Sequence, residues 1–119
     1  MKNKYKTIFL IFSFIHLSTS ITYAKDIHFN EGKKLFTNNK YEESKFLFEK
    51  DIVFNPKNEK SYLYLAKIFN KEKNDISEEN NLNTVLLLNP KNEEAIYLLT
   101  LLNIRRSNFS EAKELIDTF

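Results

Sequence analysis

Asn55-Pro56-Lys57-Asn58 returns unchanged as Asn89-Pro90-Lys91-Asn92, and the offset between residues 55 and 89 sets a period for the chain. Each copy closes one apolar, helix-forming stretch and opens the next. Pro56 cannot continue a helix and disfavours helical backbone at Asn55, while Asn58 is a residue type that caps a following helix. A fixed period between about 20 and 50 residues predicts stacked helical hairpins, because one hairpin cannot bury its apolar face alone. Function then lies in a surface made by stacking and not in a catalytic pocket.

Outward from these turns the periodicity is helical throughout. Ile27, Phe29, Leu35 and Phe36 mark a first helix, which Asn38-Asn39-Lys40 breaks, Asn being suited to a left-handed helix end. Glu42 to Phe54 is the return helix, with Phe46, Leu47, Phe48, Ile52 and Phe54 as its apolar face. Tyr62, Leu63, Leu65, Ala66, Ile68 and Phe69 mark the next helix, and Lys71 to Asp75 a turn. Ser77 is expected to cap Glu78 to Leu88, whose buried face is Leu82, Val85, Leu86 and Leu88. A third unit opens at Asn92, with Glu93 and Glu94 where acids suit the helix dipole. Ile96, Leu98, Leu99, Leu101, Leu102 and Ile104 follow; Ser107-Asn108 turns, and Ser110 to Thr118 returns with Ala112, Leu115, Ile116 and Phe119. The result is three antiparallel pairs, with no strand alternation.

The N-terminus reads as an export signal. Lys2, Lys4 and Lys6 precede the apolar run Ile8-Phe9-Leu10-Ile11-Phe12-Ser13-Phe14-Ile15, and Thr22-Tyr23-Ala24 offers a small-x-small cleavage site. A membrane span needs about 20 mostly apolar residues. His16, Ser18, Thr19 and Ser20 interrupt the run, which favours a cleaved signal over residues 1–24 against an uncleaved anchor. No membrane span is expected after cleavage, and the compartment is periplasmic or extracellular.

The charge balance follows from the signal. The chain holds 18 Lys and Arg against 16 Asp and Glu, and removing the three signal lysines leaves 15 against 16. A near-neutral domain lacks the basic excess of a nucleic-acid binder. Residues 25–119 form one small domain that buries roughly two-thirds of its unfolded surface. With no Cys, disulfides, thiolate metal sites, a cysteine nucleophile and a lipoprotein anchor are all excluded. A single Gly leaves no phosphate-cradling loop. His28, the one histidine after the signal, reads as a packing residue, and the Glu42-Glu43 and Glu78-Glu79 pairs as first-turn acids. Neither an enzyme nor a cofactor or metal site is expected.

These residues resemble the tetratricopeptide-repeat family, whose pattern W-x₂-L-G-x₂-Y…A-x₃-F…P recurs about every 34 residues, the spacing met here. The first unit supplies His28-x₂-Glu31-Gly32-x₂-Leu35…Ser44-x₃-Phe48…Pro56. The second supplies Tyr62-x₂-Leu65-Ala66-x₂-Phe69…Leu82…Pro90, and the third Ile96-x₂-Leu99-Thr100-x₂-Asn103…Ala112-x₃-Ile116. The resemblance implies an all-α, right-handed α-solenoid of about three repeats after the signal: 25–58, 59–92 and an incomplete 93–119. Gly32, Ala66 and Thr100 would be small because paired helices approach closely there. Glu78 and Asp51 stand where the family has small residues, and the turn Lys73-Asn74-Asp75 reads as one residue longer, so an irregular second hairpin is expected.

The resemblance further implies a scaffold or adaptor for other proteins, with a concave groove lined by the first helix of each pair. Its residues would be Phe29, Lys33, Phe36, Leu63, Lys67, Asn70, Lys71, Tyr97, Leu101 and Arg105, receiving an acidic peptide or helix. Any single lysine among them has the simpler reading of a solvated helix face. The last unit lacks a polar terminal helix. Either Leu102, Leu115, Ile116 and Phe119 pair with a second copy or another protein, or the chain is a shortened relative of a longer one. A structural or assembly role through that end is the alternative function.

Overall fold

The computed structural model describes residues 27–117; the expected signal segment 1–24 and Phe119 lie outside them. The described chain is all-α: α1 (27–37), α2 (Tyr41–Phe54), α3 (Glu59–Glu72), α4 (Asp75–Leu88), α5 (Glu93–Arg105) and α6 (Phe109–Ile116). From α2 onward each helix packs on its neighbours in sequence.

The period is carried by the backbone as well as by the side chains. Asn39, Lys73 and Ser107 have positive φ, 61°, 60° and 63°, and each ends the first helix of a pair. Lys40, Asn74 and Asn108 follow as N-caps at the same phase in each unit, and the second turn, residues 73–74, is no longer than the others. This corrects the expected longer second turn. It also corrects the expected Ser77 cap: α4 starts at Asp75, and the Asn74 side chain accepts the Ser77 N–H at 3.1 Å. Lys73 in the left-handed region reverses the chain immediately after Glu72, which puts Asn74 at the cap.

Two apolar clusters sit between consecutive hairpins. Phe48, Leu65 and Ile68 form one, with Phe29, Phe36, Tyr41 and Tyr64 against it. Leu63, Ala66, Leu82, Val85, Ala95, Leu99 and Leu102 form the other, joining α3, α4 and α5. In the first hairpin a Cβ added at Gly32 would stand 3.0 Å from Phe48 Cε1, and the Ser44 hydroxyl donates to the Gly32 carbonyl at 2.8 Å. Close approach therefore requires the glycine. Ala66 and Thr100, in the same phase, are buried too.

The expected apolar face of α2 is corrected in part. Ser44, Phe48 and Asp51, spaced i, i+4, i+7, are its buried residues, whereas Phe46 and Phe54 are exposed. Phe46 stands about 200° around the helix from Phe48 and so faces away from the hairpin. Phe54 meets the His28 ring at 5.8 Å, which gives that histidine a packing contact.

Two buried carboxylates occupy places where a small residue was expected. Asp51 Oδ2 accepts from Ser61 Oγ at 2.5 Å and from Asn58 Nδ2 at 2.7 Å, while its Oδ1 has no partner within the described protein. Asn58 therefore turns its amide toward Asp51 and makes no side-chain cap of α3. Its counterpart Asn92 does cap α5, accepting the Ala95 N–H at 2.9 Å. Glu78 is satisfied more fully, and it belongs to the ion pairs described next.

Candidate interaction groove

An aromatic cluster builds the floor between α1, α2 and α3. Tyr64 stacks on Phe48 with centroids 4.9 Å apart, and Phe36 meets it edge-on at 5.0 Å. Phe36 also meets Tyr41 edge-on at 5.3 Å, and Phe29 meets Tyr64 at 5.9 Å. Such offset and edge-on pairs match ring quadrupoles and fix ring orientation beyond what area burial does. Above this floor opens a groove of about 580 Å³, lined by Phe36, Thr37, Asn39, Tyr41, Tyr64, Lys67, Asn70, Lys71 and Leu98.

Two ammonium groups lie over its rings. Lys67 Nζ is 4.8 Å from the Tyr64 centroid and Lys71 Nζ 4.8 Å from the Tyr41 centroid. Their situations differ. Lys67 also pairs with Glu94 of α5 at 2.6 Å, whereas no carboxylate among the described residues pairs with Lys71. The period explains why. Arg105 stands one period after Lys71 and reaches Glu78; the residue one period before Glu78 is Ser44, whose hydroxyl is committed to Gly32. The first joint thus lacks the acid that the second one has, and Lys71 is left to the groove.

The second joint is ionic. Arg105 Nη2 donates to Glu78 Oε2 at 2.6 Å and to Asp75 Oδ1 at 2.7 Å, and Asn70 Nδ2 donates to Glu78 Oε1 at 2.9 Å. Glu78 is buried, so these donors replace the water it loses. The hydrogen bond to Glu78 raises the Arg105 pKa above its ordinary value, and that from Arg105 holds Asp75 below the usual carboxylate range. Beside it, Arg106 reaches Glu79 at 2.5 Å. The same two places in the first joint hold Lys45 and Glu72, 2.7 Å apart, so the pair recurs with its charges exchanged.

The ten residues expected to line one groove divide into four groups. Phe36, Lys67, Asn70 and Lys71 come together around it, with Phe29 beneath in the ring cluster. Lys33 is exposed on α1 and is not among the lining residues. Leu63 is corrected to a core residue, 7% exposed, because it packs between α3, α4 and α5. Tyr97 and Leu101 are exposed on α5 outside the groove, and Arg105 is corrected to a bridge between helices, its guanidinium held by Asp75 and Glu78. Of the terminal residues, Leu102 is corrected to fully buried in the core, Leu115 is half-buried against that core, and Ile116 is exposed.

Tyr64, Tyr41, Leu98 and Glu94 were not foreseen. Tyr64, Lys67 and Lys71 are spaced i, i+3, i+7, so a helical wheel centred on the lysines finds Tyr64. The roles of Glu94 and Leu98 require the inter-hairpin geometry. Among the described residues, no group of three or more His, Asp or Glu is placed to hold a metal ion, and no helix is long and apolar enough to cross a membrane. No family model matches this chain, and no curated protein matches it either.

Proposed function

We propose that this chain is a protein–protein interaction module of the tetratricopeptide type, a short α-solenoid exported to the cell envelope. Its partner is an acidic peptide or helix that docks on the rings of Phe36, Tyr41 and Tyr64. The observation that carries this reading is Lys71, a cation poised over an aromatic ring in an open groove, with no carboxylate paired to it among the described residues. Apolar contact with the rings supplies most of the affinity, and Lys71, with Lys67 exchanging Glu94 for the ligand, sets orientation. Exposed backbone groups of an extended peptide would find Asn39 and Thr37 at the groove edge.

Selection from a displayed peptide library tests it. The native chain should enrich sequences combining Asp or Glu with an aromatic or Leu, and Lys67→Glu with Lys71→Glu should abolish that enrichment while far-ultraviolet circular dichroism stays the same. Enrichment of the same peptides by the double variant would exclude the groove as their docking site.

A further inference from the structure

The first helix of each hairpin turns a constant set of positions toward the hairpin that follows. On α3 that set includes Leu63, which packs in one cluster with Ala95, Leu99 and Leu102 of α5. On α1 it includes Phe29, which meets Tyr64 of α3. The residue one period after Leu63 is Tyr97, and it is 57% exposed. With Leu101 at 42% and Ile104 at 45%, it makes an i, i+4, i+7 stripe of apolar residues along α5. Ile116 of α6 joins the same surface: its counterparts Phe48 and Leu82 are fully buried, while it is 55% exposed. We propose that this α5–α6 face is a dimerisation surface, covered by the identical face of a second copy about a two-fold axis.

The opposite end of the molecule argues for the two-fold. Leu65 and Ile68 of α3, and Leu99 and Leu102 of α5, are the buried positions through which each first helix enters the hairpin before it. On α1 the same positions are Glu31 and Lys34, both exposed. Head-to-tail stacking would press these two charges into an apolar face, at a cost in desolvation. Pairing of like faces meets no such charge. Two antiparallel α5 helices set Tyr97 of one copy against Ile104 of the other, with the two Leu101 side chains adjacent at the axis. They also bring the acidic first turn, Glu93 and Glu94, toward the Arg105–Arg106 end of the second copy, and oppose the helix dipoles. A contact of this kind is self-complementary and closes at two subunits, where a head-to-tail one would grow into a filament. This face is separate from the groove, to whose lining α5 contributes only Leu98, a residue outside the Tyr97–Leu101–Ile104 stripe.

The absence of cysteine makes a direct test simple. In the full chain, Leu101→Cys should give a disulfide-linked dimer under mild oxidation, and Glu31→Cys should not. By sedimentation velocity the full chain should be a dimer, and Leu101→Glu with Ile116→Glu should raise its dissociation constant by at least about 100-fold with helicity unchanged. If the double variant fails to fold, the cysteine cross-link, which leaves the face apolar, decides alone. A monomer at every concentration, assemblies that grow beyond two, or a cross-link at Glu31→Cys in place of Leu101→Cys overturns the proposal.

Discussion

Ser61 donates its hydroxyl to Asp51 Oδ2 at 2.5 Å, across the first Asn-Pro-Lys-Asn turn and with both residues fully buried. Asn58 donates to the same oxygen, so one carboxylate oxygen of α2 gathers two donors from beyond the turn. Asp51→Ala should destabilise the chain by about 1–3 kcal/mol, since the buried Ser61 hydroxyl and the half-buried Asn58 amide lose their acceptor. Asp51→Asn keeps an acceptor and removes a buried charge, and it should stay within about 1 kcal/mol of the native chain. Thermal unfolding of the two variants checks this; equal losses would mean that the hydrogen bonds at Asp51 do not hold the joint.

Gly32→Ala is the sharpest packing test. The added methyl would lie 3.0 to 3.3 Å from three ring carbons of Phe48, and that ring is pinned by Tyr64 stacked upon it. Overpacking costs about 1–3 kcal/mol, against about 1 kcal/mol of gained helix propensity. A net loss is expected, and Phe48→Leu in the same chain should recover part of it. A Gly32→Ala chain more stable than the native one would show that the ring moves freely.

Arg105 and Arg106 are neighbours whose removal should differ several-fold. Arg105→Ala strands the buried Glu78 with only Asn70 as a donor, and about 3–5 kcal/mol is the usual loss for such a broken pair. Arg106→Ala releases Glu79, whose side chain is 37% exposed, and should cost less than about 1 kcal/mol. Chemical denaturation midpoints give both values, and equal midpoints would contradict the assignment of Glu78 as the buried partner.

Acid should expose Asp75. Hydrogen bonding from Arg105 lowers its folded pKa below the unfolded value, so its contribution is complete above about pH 4 and disappears as the pH falls through the folded value. Asp75→Asn should therefore flatten the slope of stability against pH below about pH 4 without altering it near neutrality. An unchanged acid slope would remove Asp75 from the acid response.

The repeat and its helices were legible because they rest on local chemistry. Prolines, asparagines and apolar spacing recur once per period, and each acts within one turn of chain. The reversals were legible only through phase. Asn39 announces a left-handed residue, whereas Lys73 and Ser107 adopt the same φ because they occupy its place in later units. The groove was half-legible. Lys67 and Lys71 share a helix face whatever the fold, but their environments depend on residues from other helices and turns of the same face: Tyr41, Tyr64 and Glu94. Arg105 was assigned to the groove because its position matches Lys71; the sequence shows Glu78 in the place of Ser44, but no local pattern reveals that it reaches Arg105 across the joint.

The exchanged ion pairs bear on how such a chain can lengthen or shorten. Lys45 meets Glu72 at one joint, and Glu79 meets Arg106 at the next. Duplicating residues 59–92 in tandem would bring Glu79 against a copied Glu72, and excising them would bring Lys45 against Arg106. Either product sets like charges at salt-bridge range. The three hairpins share one architecture, yet the middle one can be neither repeated nor left out without setting like charges face to face.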